Sequence, residues 1–116
     1  MILTLPIPPK ALHPNARPHW AAKMTAKREY RQTVFLLALS ARPAKPWAKA
    51  TARAVFYTRT AHRHDPDNLN AWLKSGVDAL ADARYVENDR DIELLPASQQ
   101  KGDPPRVELT IEESKP

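Results

Sequence analysis

The spacing of apolar residues along the chain predicts two helices. The first runs from Trp20 to about Ala41, and Pro43 and Pro46 end it. Its apolar residues recur at the spacings of one helical face, and they are Tyr30, Val34, Leu37, Ala38 and Ala41. The second helix has a similar face, formed by Leu69, Trp72, Leu73, Gly76, Val77 and Leu80. We expect Trp20 to dock into the core, and Gly76 to mark a close approach by another backbone.

Alternating polarity predicts the strands. Between residues 50 and 59, one face carries Ala52, Ala54, Phe56 and Thr58, and the other carries Arg53, Val55, Tyr57 and Arg59. Residues 1–5, 92–99 and 107–112 are the other predicted strands. The order β-α-β-α-β-β indicates an α/β (α+β) fold, a single small domain over residues 1–116 with a mixed sheet and two main helices. Residues 113–116 are expected to form a frayed tail.

The second helix has a distinct start. Asp65 suits the N-cap, Pro66 suits the first helical position, and Asp67 complements the positive end of the helix. One explanation is that these two carboxylates serve only to cap the helix. The same helix end also keeps them ionised, which a metal ligand requires.

The acidic pair is also the basis of a metal-site hypothesis. A helix N-terminus disfavours a cation, so a third carboxylate would help, and Asp89 can supply it from the loop after the helix, with Glu87 and Asp91 beside it. Mg²⁺ takes oxygen ligands and usually keeps several waters, so two or three carboxylates suffice to hold it. We therefore expect Asp65, Asp67 and Asp89 to bind Mg²⁺, for which Mn²⁺ is expected to substitute.

Composition narrows the class of protein. The 116 residues fit one domain, and a chain of this size can bury more surface as a dimer. There are no cysteines, which excludes disulfides and thiolate metal sites and suits a cytoplasmic location. The apolar opening is too short for a signal peptide, and no apolar run is long enough to span a membrane. A formal net charge of +5 favours binding to the phosphate backbone of nucleic acid.

A loop over residues 13–20 mixes amide, basic and aromatic groups that can grip such a backbone. Its candidates for DNA contact are Asn15, Arg17 and His19, and the basic surface continues along the first helix with Lys23, Lys27, Arg28 and Arg31. A proline-stiffened loop and a solvated basic face are the simpler interpretations. His62 and His64 bracket Arg63 just before the acidic pair, which favours a polar approach to the DNA or to the carboxylates. Zinc is not expected, because no third nitrogen or sulfur ligand has the usual spacing.

Three blocks of residues follow one another along nearly the whole chain. The first is Leu5-Pro6-Ile7-Pro8-Pro9, followed by His13-Pro14-Asn15-Ala16-Arg17 and His19-Trp20. The second is Asp65-Pro66-Asp67-Asn68-Leu69, and the third is Asn88-Asp89 followed by Ile92. Together they resemble the RusA family of crossover-junction (Holliday-junction) endodeoxyribonucleases, small resolvases common in prophages. The blocks resemble its proline-rich start, Asn-containing loop, Asp-x-Asp-Asn-Leu core and Asp-Asp pair, except that the first Asp of the pair is Asn88 here.

The resemblance implies that Asp65, Asp67 and Asp89 are the catalytic metal-binding carboxylates. In the family a lysine often stands four residues after the second Asp of the core. That position is Ala71 here, and some branches carry the lysine three residues later, where this chain has Lys74. Lys74 stays on the helix face of Asp67, so its ammonium is expected to approach the DNA phosphate.

The family acts as a symmetric dimer on four-way junctions. A two-fold dimer presents two identical sites to a nearly two-fold substrate. The resemblance therefore implies a Mg²⁺-dependent homodimer that resolves branched DNA by paired phosphodiester hydrolysis in recombination and repair. Its expected DNA contacts are Asn15, Arg17, His19, Lys23, Lys27, Arg63 and Asn68. Two other hypotheses stay open: a non-catalytic, metal-modulated DNA-binding protein, and a structural dimer whose acidic pair only caps a helix.

Overall fold

Two helices and a mixed five-stranded sheet share one core in this computed structural model, which describes residues 1–60 and 62–114. The strands are β1 (Ile2–Leu5), β2 (Ala50–Thr58), β3 (Ile92–Leu94), β4 (Ser98–Lys101) and β5 (Arg106–Glu113). The helices are α1 (Trp20–Leu39) and α2 (Pro66–Asp82), and short 3₁₀ turns lie at Lys10–Leu12 and Asp89–Asp91. The predicted small α+β domain with a mixed sheet and two main helices is confirmed.

The order of the strands places the two ends of α2 beside the sheet. β5 lies between β1 and β2 and is antiparallel to both. At its other edge β2 pairs in parallel with β3 and β4. A parallel pair needs a long crossover, and α2 provides it. The chain therefore leaves β2, runs along α2, and returns to the neighbouring strand through the turn that contains Asp89.

One face of the sheet forms the core with the helices. The buried residues alternate along β2 and β5, and they are Ala50, Ala52, Ala54, Phe56, Val107, Leu109 and Ile111. The ring of Phe56 stacks on that of Trp72 in α2, with centroids 5.7 Å apart. Arg53, between two buried alanines, is exposed on the opposite face. The predicted alternation of β2 is thus confirmed.

The strand predicted at residues 92–99 is two strands, β3 and β4. Ala50 pairs with Ile92 and Val55 pairs with Ser98, so five steps along β2 correspond to six along its partner. The extra residue is a bulge. Pro96 lies in the interruption, and it cannot donate a hydrogen bond to the ladder because it has no N–H.

The helices bury different shares of their predicted faces. All six predicted residues of α2 are buried, whereas α1 buries Tyr30, Val34 and Ala38 and leaves Leu37 46% exposed. The expectation that Trp20 docks into the core is wrong, because its side chain is 73% exposed. The reason is the position of α1: its first residue packed on the core is Ala26, so the first turn extends beyond the core.

Gly76 marks the place where the two helices meet. A Cβ atom at this position would lie 2.8 Å from Cε2 of Tyr30 and 3.2 Å from Cγ2 of Val34. The sequence predicted a close approach by a backbone, and the atoms that fill the space are side chains of α1. Glycine is needed here for room between helices.

The C-terminal residues are held more firmly than predicted. Glu113 pairs with Ala50 in the sheet, and the N–H of Ser114 donates to the carbonyl of Lys49 at 2.9 Å. The remaining two residues of the predicted tail, 115 and 116, lie outside the described residues. None of the described helices is long and apolar enough to cross a membrane.

Candidate active site

The N-terminus of α2 has the predicted cap. Asp65 is the N-cap residue, and its Oδ1 accepts a hydrogen bond from the N–H of Asp67 at 2.9 Å. Pro66 occupies the first helical position, where its missing N–H costs nothing. Both carboxylates are exposed at the positive end of the helix. The cap therefore fixes Asp65 and leaves Asp67 facing solvent.

The proline-rich start of the chain is anchored to the helices. Nε1 of Trp72 donates to the carbonyl of Pro9 at 2.8 Å, and the hydroxyl of Tyr30 donates to the carbonyl of Pro6 at 2.7 Å. These bonds satisfy the polar ends of two mostly buried aromatic rings. They also bring the following loop, with His13, beside the start of α2. The first and second blocks of the sequence thus lie together.

Three histidines cluster where these blocks meet. Nε2 of His13 and Nδ1 of His64 are 3.2 Å apart, a hydrogen bond in which one ring donates. The rings of His62 and His64 lie 5.0 Å apart, edge to face, and His13 and His64 both pack on Trp72. Burial, and then the positive charges of His13 and His62, lower the pKa of His64 below its usual value. We call His13, His62 and His64 the histidine cluster.

Gln99 of β4 fixes the segment that carries two of these histidines. Its Oε1 accepts from the N–H of His64 at 2.9 Å, and its Nε2 donates to the carbonyl of His62 at 2.7 Å. Nε2 also lies 3.0 Å from Oγ1 of Thr58 at the end of β2. A single side chain therefore holds the approach to Asp65 against the sheet.

A second polar cluster lies farther along α2. The ammonium of Lys74 forms a salt bridge with Asp78, one turn later, and its Nζ is 3.5 Å from Oδ2 of Asp89. The side chain of Asp78 is only 12% exposed, whereas those of Lys74 and Asp89 are 58% and 51% exposed. We call Lys74, Asp78 and Asp89 the lysine cluster. It presents Lys74 and Asp89 to solvent, with the nearly buried carboxylate of Asp78 beside them.

The environment of Asp89 favours its ionised form. The polar contact with Asp78, and next the positive charge of Lys74, hold the pKa of the Asp89 carboxyl below its usual value. The 3₁₀ turn that begins at Asp89 positions this side chain opposite α2. Asp89 is therefore a negatively charged oxygen donor at neutral pH.

Arg31 of α1 borders the lysine cluster. Its Nε and Nη2 donate to the two carboxylate oxygens of Asp82 at 2.6 and 2.9 Å, a bidentate pair. The hydrogen bond with Asp82 raises the pKa of Arg31, and the negative charges of Asp78 and Asp89 add to the effect. The same bond lowers the pKa of Asp82. Arg31 thus places a fixed positive charge within the field of the acidic residues.

One face of α2 connects the two ends of this surface. Lys74 follows Asp67 by about two helical turns, and Asp78 follows Lys74 by one. The three side chains therefore project from the same side of α2. Seven residues of rise put Asp67 about 10 Å from Lys74 along the axis. Of the predicted catalytic residues, the structure brings Lys74 and Asp89 together and leaves Asp65 and Asp67 at the other end of the face. Among residues 1–60 and 62–114, no three His, Asp or Glu side chains are arranged to hold a metal ion.

The predicted DNA contacts border this face on two sides. Asn15, whose N–H donates to Nδ1 of His13 at 3.1 Å, and Arg17 lie exposed in the first loop. His19 caps α1, accepting from the N–H of Ala21 at 3.2 Å. The remaining predicted contacts lie on α1, just before α2 or in its first turn, and they are Lys23, Lys27, Arg63 and Asn68. All but the half-buried Asn68 are exposed.

The sequence did not single out Asp78, Asp82 or Gln99. Asp78 follows Lys74 by four residues, the spacing at which opposite charges meet on a helix, and that signal could have revealed it. Asp82 and Arg31 are 51 positions apart in the sequence. The hydrogen-bond partners of Gln99 are at least 35 positions away from it. Such contacts follow from the packing of α1 on α2 and of β4 on β2, which no local pattern records.

The donor set of the lysine cluster suits a hard divalent cation. Mg²⁺ is commonly held by one or two carboxylates, with phosphates of the substrate and waters as the other ligands. Asp78 and Asp89 offer two neighbouring carboxylates, and the Lys74 ammonium contacts both of them. The residues present therefore fit a magnesium ion shared with a phosphate.

No protein-family model matches the chain, and no curated protein shows significant sequence similarity to it.

Proposed function

We propose that this protein is a divalent-metal-dependent endonuclease that cuts branched DNA, of the junction-resolving kind that its sequence resembles. One observation carries the proposal. Lys74 contacts both Asp78 and Asp89 on the open face of α2, the helix that begins with Asp65 and Asp67. An acidic face on a chain of net charge +5 suits a cation held against a polyanion.

The acidic residues have separate roles in this proposal. Asp78 and Asp89 would hold the ion, and Asp67, at the far end of the face, would orient the attacking water or a neighbouring phosphate. When bound there, Mg²⁺ or Mn²⁺ would supply a water of lowered pKa and a positive charge beside the phosphate. Asp65 acts by fixing the start of α2 through its cap.

Lys74 completes the site as a mobile cation. In the free protein its ammonium neutralises two carboxylates. When DNA occupies the face, the same ammonium turns to the phosphate next to the one being cut. Arg31, held by Asp82, supplies a second positive charge that does not need to move.

Paired cutting of a four-way junction requires two such sites. We propose a symmetric homodimer, because a two-fold assembly presents two equivalent active sites to a substrate of nearly two-fold symmetry. The basic residues around the face bind the arms through their phosphates: Asn15, Arg17, His19, Lys23, Lys27, Arg63 and Asn68 are the proposed contacts. Binding through phosphates carries no sequence preference, so selectivity comes from the shape of the branch.

The test is cleavage of a synthetic four-way junction in Mg²⁺, in Mn²⁺ and in EDTA, with the products mapped on each strand. We expect symmetric paired cuts that require metal. Asp89→Asn and Asp67→Asn should each lower the cleavage rate at least about a hundredfold, roughly 2.7 kcal/mol of barrier, while junction binding is preserved. Binding is expected to persist because each change removes a negative charge near phosphates.

Glu112→Gln is the matched control. Glu112 is exposed on β5 and belongs to the sheet face opposite the helices, so this change removes a carboxylate without touching the site. It should cut at the wild-type rate. Wild-type cutting by Asp89→Asn at saturating Mg²⁺ would overturn the site assignment, and equal cutting in EDTA would overturn the metal dependence.

A non-catalytic, metal-modulated DNA-binding protein is the second candidate. It is favoured by the separation of Asp65 and Asp67 from Asp89, which leaves no three-carboxylate cluster in the described part of the chain. It predicts junction binding that changes with Mg²⁺ and no cleavage products at any metal concentration. DNA binding in EDTA separates it from a purely structural dimer, which binds no DNA.

A further inference from the structure

Trp20 is the most exposed large apolar side chain of the described residues. It is 73% exposed at the first position of α1, and Met24, one turn later, is 54% exposed. The ring of His19 lies 5.8 Å away at an angle of 31°. A tryptophan outside the core offers a large, rigid aromatic face to whatever binds this surface.

The charges around Trp20 indicate what kind of partner fits. Lys23, Lys27, Arg28 and Arg31 follow it along α1, and no acidic residue lies between Trp20 and Arg28. Cations alternate here with Trp20 and Met24, so the apolar atoms form no continuous patch of the kind that docks a folded protein. An aromatic ring beside a row of cations instead matches single-stranded nucleic acid, whose bases stack while its phosphates pair with Lys and Arg.

The surface around Trp20 is continuous with the candidate active site. A cleft of about 500 Å³ is lined by Met24, Lys27, Arg28, Arg31, Gln32 and Asp82. Arg31 and Asp82 also line the next cleft, of about 360 Å³, which reaches Asp89. From Met24, one turn after Trp20, a DNA strand can therefore follow the cations Lys27, Arg28 and Arg31 of the first cleft. It then meets the acidic residues of the second cleft, where Asp89 lies.

We propose that Trp20 is a stacking platform for an unpaired base of the DNA strand that enters the active site. This inference rests on the proposed function, and it identifies how the branch point is sensed: a base at the branch, where stacking is interrupted, is opened at less cost than a base inside a continuous duplex. The eleven residues from Trp20 to Arg31 span about 16 Å, which corresponds to roughly five nucleotides at 3.4 Å each. The stacked base should therefore lie several nucleotides from the phosphate that is cut.

The test uses the full-length protein and fluorescent base analogues. 2-Aminopurine is placed singly at successive positions around the branch of a synthetic junction, and Ca²⁺ replaces Mg²⁺ so that the DNA stays intact. Stacking on Trp20 should change its emission at one or two adjacent positions. Trp20→Ala should remove that change and weaken junction binding about five- to a hundredfold, with little effect on blunt duplex, whereas Trp20→Phe should retain most of both.

Leu36→Ala is the matched control. Leu36 is 57% exposed on the same helix and lies about 160° around it from Trp20, so its loss tests the general effect of an exposed apolar side chain. It should behave as wild type. Thermal unfolding of each variant should match that of wild type, since neither side chain is in the core.

Three results would overturn the platform. The first is a 2-aminopurine signal that Trp20→Ala leaves unchanged. The second is an equal loss of affinity for duplex and junction in that variant. The third is a shift of Trp20→Ala from dimer to monomer in sedimentation, which would make Trp20 part of an interface between copies. Failure of the nuclease proposal gives a different pattern. In that case the wild type shows the Trp20-dependent signal, yet cuts no junction in Mg²⁺ or Mn²⁺.

Discussion

At the scale of single residues, the proposed function requires Lys74 to exchange its carboxylate partners for a DNA phosphate. In the free protein it contacts Asp78 and Asp89, and its side chain is 58% exposed. Water and salt screen its contact with the exposed Asp89, whereas the nearly buried Asp78 needs a cation beside it. A phosphate brought close by bound DNA can therefore draw the ammonium away from Asp89, provided that a metal ion takes its place beside Asp78.

We expect Lys74→Ala to slow junction cleavage by one to two orders of magnitude, about 1.4 to 2.7 kcal/mol in the barrier. The reason is the loss of a positive charge that contacts the phosphate. Single-turnover rates at saturating enzyme measure this effect, because they remove binding from the comparison. Lys74→Arg should restore only part of the rate, since a planar guanidinium is not a point charge.

The control for Lys74 is Lys45→Ala, an exposed lysine in the loop between α1 and β2. It should leave the single-turnover rate unchanged. A wild-type rate in Lys74→Ala would mean that Lys74 only neutralises the two carboxylates, and Arg63 would then be the next residue to change.

At the scale of elements, the contact between α1 and α2 depends on the absence of a side chain at Gly76. Alanine favours a helix over glycine by about 1 kcal/mol. Its methyl group would nevertheless lie 2.8 Å from the ring of Tyr30, which a hydrogen bond to Pro6 holds in place. Overpacking of a core costs about 1 to 3 kcal/mol, so the clash outweighs the gain.

Gly76→Ala should therefore lower the free energy of unfolding by up to about 2 kcal/mol, in urea or thermal denaturation. Ala71→Gly, at an exposed position of the same helix, isolates the effect of helix propensity and should cost about 1 kcal/mol. A more stable Gly76→Ala variant would show that α1 shifts freely to make room.

The Arg31–Asp82 pair joins the same two helices and gives stability a pH dependence. The pKa of Asp82 is lowered in the folded state, so its contribution is fully present above the unfolded pKa of about 4 and is lost as pH falls through the folded pKa. The two side chains are 43% and 38% exposed, and solvent screening limits the pair to about 1 kcal/mol.

Asp82→Asn should accordingly destabilise the protein by up to about 1 kcal/mol at pH 7. The difference from wild type should shrink as the pH is lowered below about 4, because the wild-type carboxylate is then protonated as well. Urea unfolding at a series of pH values measures both quantities. A difference that stays constant down to the most acidic pH would show that Asp82 acts through its shape and not its charge.

Local sequence patterns predicted the helices and strands well, but predicted less well how these elements pack against one another. The cap at Asp65 and the buried stripe of α2 depend only on neighbours in sequence, and both are confirmed. The break between β3 and β4 depends on pairing with β2, and the exposure of Trp20 depends on where α1 leaves the core. Periodicity reports which face of a helix is apolar, but not how far the core extends beneath it.

At the scale of the whole molecule, the candidate site also combines residues that the sequence revealed with residues that only the packing revealed. Lys74 and Asp89 were each predicted as site residues, Lys74 for the phosphate and Asp89 for the metal, and their side chains lie 3.5 Å apart although a helical segment and a turn separate them. Asp78, the buried member of their cluster, was not predicted, because a single acid on a helix is ordinarily a solvated residue. Packing against the 3₁₀ turn makes it part of a site, and that packing is a property of the fold.

The charge of the whole molecule leads to the last prediction. If the net charge of +5 reflects contacts with phosphates, junction binding must weaken steeply with ionic strength. The expected log–log slope is about −0.9 for each contact on duplex arms. A dimer making about six contacts should lose on the order of a thousandfold in affinity between 50 and 200 mM salt.

Single substitutions can assign that slope to the proposed surface. Lys27→Ala in the cleft of α1 removes one phosphate contact per protomer, so the slope should become shallower by about one for each protomer that engages DNA. Lys45→Ala, outside that cleft, should leave the slope unchanged because it makes no such contact. Equal slopes for the two variants would place the DNA elsewhere, and a flat profile for the wild type would mean that its positive charge serves solubility alone.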